Sequence, residues 1–211
     1  MDIQVWSDVV CPWCYIGKTR LETALRGDST TTVTYRAYQL DATPVPQPVP
    51  LGVALAPKFG GPERVQEAWD HVRAFAAGDG LELNFERAVA ANTFDAHRLI
   101  AWAAEQGRQA AMLDALQIAH FADGVDIGSK PALARVARTI GLDESAALAY
   151  LASTDGVNAV RADIMAARDF GITSVPTFVI DNKYAIQGAQ EVQVLKDAFA
   201  EINRREAVDA G

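Results

Sequence analysis

Two cysteines occur in the whole chain, and they sit as Cys11-Pro12-Trp13-Cys14. Ile3-Gln4-Val5-Trp6-Ser7 before them reads as a strand, and the run through Leu21 and Leu25 after them reads as a helix. The pair therefore sits at a strand-to-helix junction. With no third cysteine available, the two thiols react only with each other or with a partner.

The rest of the composition narrows what that pair can be for. The chain has 211 residues, half of them hydrophobic, which is enough for a core without disulfide staples. Its net charge is -8, and no Lys/Arg cluster rises above the background, so we expect no nucleic-acid partner. No window approaches the roughly 18 apolar residues of a membrane span, so we expect no membrane partner. Met1-Asp2-Ile3-Gln4-Val5 enters a strand directly, without the basic and apolar segments of a secretory signal. We therefore expect a cytoplasmic protein. In that compartment a CxxC is catalytic, sensing or metal-binding more often than a structural disulfide.

Val33-Thr34-Tyr35-Arg36-Ala37-Tyr38 is β-branched and aromatic, and predicts a second strand. The alternating prolines from Pro44 to Pro50 predict an extended surface connector. From about residue 57 to 154 the periodicity is helical. Asn92-Thr93 can cap a helix through Leu99 and Trp102, and Met112, Leu116 and Ala119 form another apolar stripe. Leu133, Val136, Ala137 and Ile140 follow at helical spacing, and Asp143 starts a short helix through Leu148 and Leu151. We read these stripes as core, not as cofactor contacts. Val157, Val160, Ile164 and Ala167 predict a helix ending at Gly171. A strand from Thr177, a turn at Asp181-Asn182-Lys183, a strand from Tyr184 and a helix through Val192, Leu195, Phe199 and Ile202 complete the chain. The order is β-α-β, a helical block, then α-β-β-α.

Cys11 falls at the expected helix start, where free N–H groups and the positive end of the dipole favour a thiolate. Its pKa is expected below the roughly 8.5 of a free thiol. Cys14, one turn further in, is expected to be more buried and more protonated. Cys11 then forms the mixed disulfide and Cys14 resolves it. Pro12 suits the first turn because it lacks an N–H, and Trp13 offers a partly exposed apolar surface. Val175-Pro176 opens a strand at an awkward place for proline. A cis peptide that sets the neighbouring backbone against the thiols is one reading, and a trans proline that merely begins the strand is the other. Asp8 either accepts the Cys14 proton or is an ordinary loop residue, and we favour the loop. A zinc site is not expected, because His71, His97 and His120 are widely separated and no second cysteine pair exists.

Ser7-Asp8-Val9-Val10-Cys11-Pro12-Trp13-Cys14-Tyr15-Ile16-Gly17-Lys18 resembles the active-site segment of the DsbA family, closest to its FrnE-like subgroup. Asn92 to Leu99 resembles that subgroup's helical-domain motif, Gly171 to Phe178 its cis-proline segment, and Gly188-Ala189-Gln190 the motif after the last hairpin. The resemblance implies an α/β, thioredoxin-like fold with an inserted all-helical domain. Residues 1–56 and 155–211 would form the thioredoxin-like domain and 57–154 the insertion. It implies thiol-disulfide oxidoreductase activity with catalytic Cys11 and Cys14, a cis Pro176, and substrate contacts at Pro12, Trp13, Val175 and Pro176. Asp8, Asn92 and His97 become active-site neighbours. The substrate would be a disulfide-containing protein or small molecule, with no tightly bound cofactor and glutathione as a possible co-substrate, in a monomer or homodimer. Periplasmic relatives carry an export signal and usually a histidine within the CxxC, and this chain has neither. Related kappa-class glutathione transferases and chromene-carboxylate isomerases usually replace the first cysteine, which this chain keeps. An isomerase of an aromatic or polyketide metabolite and a non-enzymatic redox-responsive binding protein are the alternatives.

Overall fold

The first strand sets the layers. In the computed structural model, which describes residues 1–209, β1 (Asp2–Ser7) runs through α1 (Pro12–Ala24) to β2 (Thr32–Ala37). β1 and β2 pair in parallel, with Val5 beside Tyr35. On its other side β1 pairs antiparallel with β3 (Thr177–Ile180), which turns back into β4 (Tyr184–Gln187). The sheet order is β2-β1-β3-β4. Asp181 and Asn182 turn the hairpin with φ of 49° and 55°, a region Asp and Asn tolerate better than most residues.

Alternation along the strands sorts the two faces. Ile3, Val5, Phe178 and Ile180 share one core with Leu21 of α1. Leu195 and Phe199 of α9 (Val192–Asp209) join them there. Trp6 and Val179 point to the opposite face, against Ile172 and Ala167 of α8 (Val157–Asp169). The Trp6 indole N–H donates to the Asp163 carbonyl at 3.1 Å, which satisfies the one polar atom of an otherwise apolar side chain.

Six helices lie between β2 and α8: α2 (Leu51–Phe59), α3 (Pro62–Ala76), α4 (Phe94–Ala104), α5 (Gln109–Phe121), α6 (Lys130–Thr139) and α7 (Glu144–Ala152). Leu99, Leu113, Leu116 and Leu133 from this block continue the core that begins at Ile3. Trimming such a fully buried leucine to alanine costs about 2–5 kcal/mol. The arrangement is the thioredoxin-like fold with a helical insertion that the resemblance implies.

Two features differ from the sequence reading. Helical structure begins at Leu51, six residues before the expected 57, because Pro50 bridges Val89 and the Leu51 N–H donates to the Ala88 carbonyl. No residue of α2 is buried, so this helix lacks the apolar stripe by which helices are read. The segment from 77 to 93, between α3 and α4, is irregular but anchored, with Leu83, Phe85 and Ala88 buried and the Asn84 N–H bonded to the Phe121 carbonyl.

The outer edge of β2 is closed by side chains. Gln109 accepts from the Tyr35 N–H and donates to the Tyr35 carbonyl, each at 3.0 Å. Asp163 accepts from the Ala37 N–H at 3.1 Å.

Candidate active site

Cys11 is the N-cap of α1, with extended backbone at φ -88° and ψ 113°. Its N–H donates to the Asp8 carbonyl at 3.1 Å, and its own carbonyl accepts from the N–H groups of Cys14 and Tyr15. Pro12 occupies the first turn, where its missing N–H costs nothing. These local bonds place both sulfurs on the side of α1 that meets the C-terminal end of β1.

The two thiols differ. Cys14 is 1% exposed and Cys11 4%. Burial pushes the Cys14 thiol well above its ordinary value. Donating a hydrogen bond to the Cys11 sulfur, and the charge of that sulfur, act in the same direction. The Asp8 backbone N–H opposes the rise and the Asp8 charge adds to it. Cys14 is therefore held as a thiol. The expected difference in burial is present but small.

The Val175–Pro176 peptide is cis. The Cys11 thiol faces the Val175 carbonyl at 3.8 Å. Pro176 is held from both sides: its carbonyl accepts from the Gly188 N–H at 2.8 Å, and its ring lies against Gly17. A Cβ at Gly17 would come within 2.8 Å of the Pro176 ring, so α1 approaches this loop only because residue 17 has no side chain. Sequence reasoning passed over Gly17. A glycine inside a helix was its one signal.

Trp13 is half-buried and meets α3, edge-on to Phe75 at 5.0 Å and tilted against His71 at 5.9 Å. Arg20 of α1 fixes that helix. Its guanidinium bonds the Phe75 carbonyl and the Asp79 carboxylate on the α3 side, and Glu191 and the Ala189 carbonyl on the α9 side. The Gly188-Ala189-Gln190 motif thus connects to the thiols through Arg20 and through Pro176. Lys18 is also buried and ion-paired, to Glu22 and Asp114.

Behind the thiols lies a second group of polar residues. Asp8 is fully buried. This is not the ordinary loop position favoured from sequence: burial sets the carboxylate apart, and it acts electrostatically on Cys14. Oδ2 accepts from the Leu40 N–H at 2.8 Å, and Oδ1 lies 3.4 Å from His97 Nε2. That nitrogen is bonded at 2.9 Å to the Tyr38 carbonyl. Asn92 sits further out. Its Oδ1 accepts from the Phe94 N–H at the start of α4, and its amide donates to the Ala42 and Thr43 carbonyls. Asn92, one residue before the Thr93 N-cap, therefore holds the entry to α4 and pins the proline-rich connector, whereas His97 reaches the carboxylate. Of the other histidines, His71 is exposed beside Trp13 and His120 is fully buried. Among the described residues no cluster of His, Cys, Asp and Glu could hold a metal ion.

A family described as the DSBA-like thioredoxin domain matches residues 2–200. A probable DsbA oxidoreductase from Streptomyces coelicolor is similar at 36% identity, with a TM-score of 0.88 over 95% of this chain and 89% of that one. A 2-hydroxychromene-2-carboxylate isomerase is similar in structure at 20% identity, with a TM-score of 0.71 over 100% of both chains. The cytosolic disulfide reductase DsbM from Pseudomonas aeruginosa is similar at 21% identity, with a TM-score of 0.63 over 97% of this chain and 99% of that one. At 20 and 21% identity the last two likenesses show a shared fold.

Proposed function

The chain belongs to the DSBA-like thioredoxin domain family, and from that premise we propose that it is a cytosolic dithiol-disulfide oxidoreductase working through Cys11 and Cys14. Cys11 attacks one sulfur of a substrate disulfide. A Cys11–substrate disulfide forms, and the other substrate sulfur leaves as a thiolate. Cys14 then gives up its proton and attacks the Cys11 sulfur. The Cys11–Cys14 bond forms, the mixed disulfide breaks, and the second substrate thiolate leaves. Two electrons have passed from the enzyme dithiol to the substrate, and the reverse sequence oxidises a dithiol.

The observation that carries this reading is the pair of thiols at the N-cap and first turn of α1, with the Cys11 sulfur against the carbonyl of the cis Val175–Pro176 peptide. Asp8 is the acceptor for the Cys14 proton. Its charge opposes the Cys14 thiolate, and moving the proton from sulfur to carboxylate removes that opposition. Pro12, Trp13, Val175 and Pro176 form the substrate rim, with the Val175 carbonyl beside the reacting sulfur. The substrate is a protein or small-molecule disulfide, and DsbM, which is named a cytosolic disulfide reductase, has also been solved with glutathione. Glutathione is accordingly the small co-substrate of choice. Residues 1–56 and 155–211 supply the thiol site and 57–154 cover it, although keeping α2 whole moves the first boundary to residue 50.

Cys14→Ser tests the reading. It should accumulate a mixed disulfide at Cys11, visible by intact mass, whereas wild type releases substrate. Failure of wild type to reduce or oxidise any disulfide faster than free dithiol would end the proposal. The fold shared with the chromene-carboxylate isomerase keeps a second reading in play. A Cys11→Ser protein that loses disulfide exchange yet isomerises an aromatic substrate with glutathione would favour it.

A further inference from the structure

Among the described residues, five buried polar atoms have no hydrogen-bond partner within the protein. They are Oδ1 of Asp8, both amide atoms of Gln117 and both ring nitrogens of His120. Buried polar atoms are nearly always paired, directly or through ordered water, so five in one molecule call for a cause. Gln117 and His120 lie one turn apart on α5, and both are fully buried. Phe121, the next residue, stacks on Tyr15 at 5.9 Å. That contact holds this end of α5 against the first turn of α1, next to Cys14. His120 also feels the Asp8 charge. The orphaned atoms of α5 and the orphaned carboxylate oxygen therefore belong to one region.

We propose that Gln117 and His120 hold water against Oδ1 of Asp8 and so aim that carboxylate at the Cys14 proton. The idea rests on the reading of Asp8 as the acceptor. His97 does not do this alone, because its Nε2 is already bonded to the Tyr38 carbonyl. Burial holds His120 well down, at about 4, with the Asp8 charge pulling the other way, so the ring is neutral at pH 7. A neutral imidazole has one donor and one acceptor, and the Gln117 amide supplies both as well. Together they can order water that bonds a carboxylate on one side and the α5 side chains on the other. His120 acts through Asp8 and is a positioning residue.

Other charges around α5 are already engaged. From α1, Lys18 is bonded by Glu22 and by Asp114 of α5 itself. Tyr35 of β2 meets Glu22. On α6, Lys130 pairs with Asp95, Arg138 pairs with Glu144, and Arg135 is exposed. His97 of α4 stands on the far side of Asp8.

The test follows both thionitrobenzoate releases when the reduced full-length protein meets 5,5′-dithiobis(2-nitrobenzoate). The first release reports attack by Cys11, and the second reports resolution by Cys14. Asp8→Asn should slow the second release by roughly a hundredfold. His120→Phe and the near-isosteric Gln117→Leu should each slow it by about tenfold, less than loss of a direct acceptor. The His120 and Gln117 variants should leave the first release unchanged. His120→Gln, which keeps a donor and an acceptor, should recover most of the rate. The pH profile of the second release should move in step with the Asp8 carboxyl titration followed by carbon-13 NMR. If Gln117→Leu and His120→Phe resolve like wild type across pH while Asp8→Asn is slow, the inference is wrong and the Asp8 reading stands. If Asp8→Asn is also unimpaired, both fall.

Discussion

The two sulfurs of this site are one helical turn apart and look into different surroundings. Cys11 faces the Val175 carbonyl, next to the half-buried ring of Trp13 that packs on Phe75. Cys14 is buried within the field of the Asp8 carboxylate, which His120 of α5 also feels. The outer side is built from backbone and rings, with no charged side chain in the loop that meets Cys11. The inner side gathers ionisable groups that are shut off from bulk solvent. In the proposed mechanism these different surroundings divide the reaction in space, with substrate handled at Cys11 and the proton at Cys14.

The strongest way to break that division is to exchange the sulfurs' roles. Cys11→Ser should abolish mixed-disulfide formation altogether, while Cys14→Ser should leave it intact and abolish only release. Equal trapping by both variants, compared by intact mass, would show that the sides are interchangeable.

Acid offers the next largest effect, and it should strike the inner side alone. His120 titrates at about 4 in the fold, against 6.5 when free, because burial disfavours its charge. Between those values the unfolded chain binds a proton that the folded chain refuses. Stability is therefore full above pH 6.5 and falls as pH drops from 6.5 towards 4, by about 3 kcal/mol in all, with no further loss from this group below 4. Urea unfolding at pH 7, 5 and 4 should show this loss in wild type. His120→Gln should lack it, and a loss of equal size in that variant would remove His120 as its source.

Gly17→Ala disturbs the outer side, with the smallest effect of the three. The new methyl collides with the Pro176 ring, an overpacking cost of about 1–3 kcal/mol. Alanine's better helix propensity returns about 1 kcal/mol of that. A net loss of about 1 kcal/mol should appear in denaturant melts. Disulfide turnover should fall with it, because Val175 is displaced from Cys11. Unchanged turnover would mean that the carbonyl's position beside the sulfur does not matter.

The outer side was legible in local order, whereas on the inner side the family resemblance named Asp8 and His97 and nothing marked Gln117 or His120 as part of it. A CxxC at a strand-to-helix junction announces itself through local order: β1, the N-cap and the first turn of α1 all involve residues within a few positions of Cys11. The strands and helices from Asn92 onward also follow local periodicity, and they lie where it placed them. Asp8, His97, Gln117 and His120 come from three separate segments, and only packing brings them together. No spacing rule marks a histidine on a helix as buried and unpartnered when its neighbours Ala119 and Phe121 make an ordinary apolar stripe. Arg20 was invisible for the same reason, since its partners Phe75, Asp79, Ala189 and Glu191 arrive from distant parts of the chain. α2 escaped by a different route. It carries a glycine and a proline and buries no residue fully, so the pattern that identifies a helix was absent.

The plug formed by Gln109 on β2 has an effect beyond the domain's own stability. An exposed strand margin is a template on which a neighbouring molecule can grow a fibril. Here the peptide of Tyr35 is saturated by a side-chain amide that mimics a further strand, and Asp163 closes the next N–H with a negative charge. That side of the sheet is thereby kept from pairing with strands of other molecules.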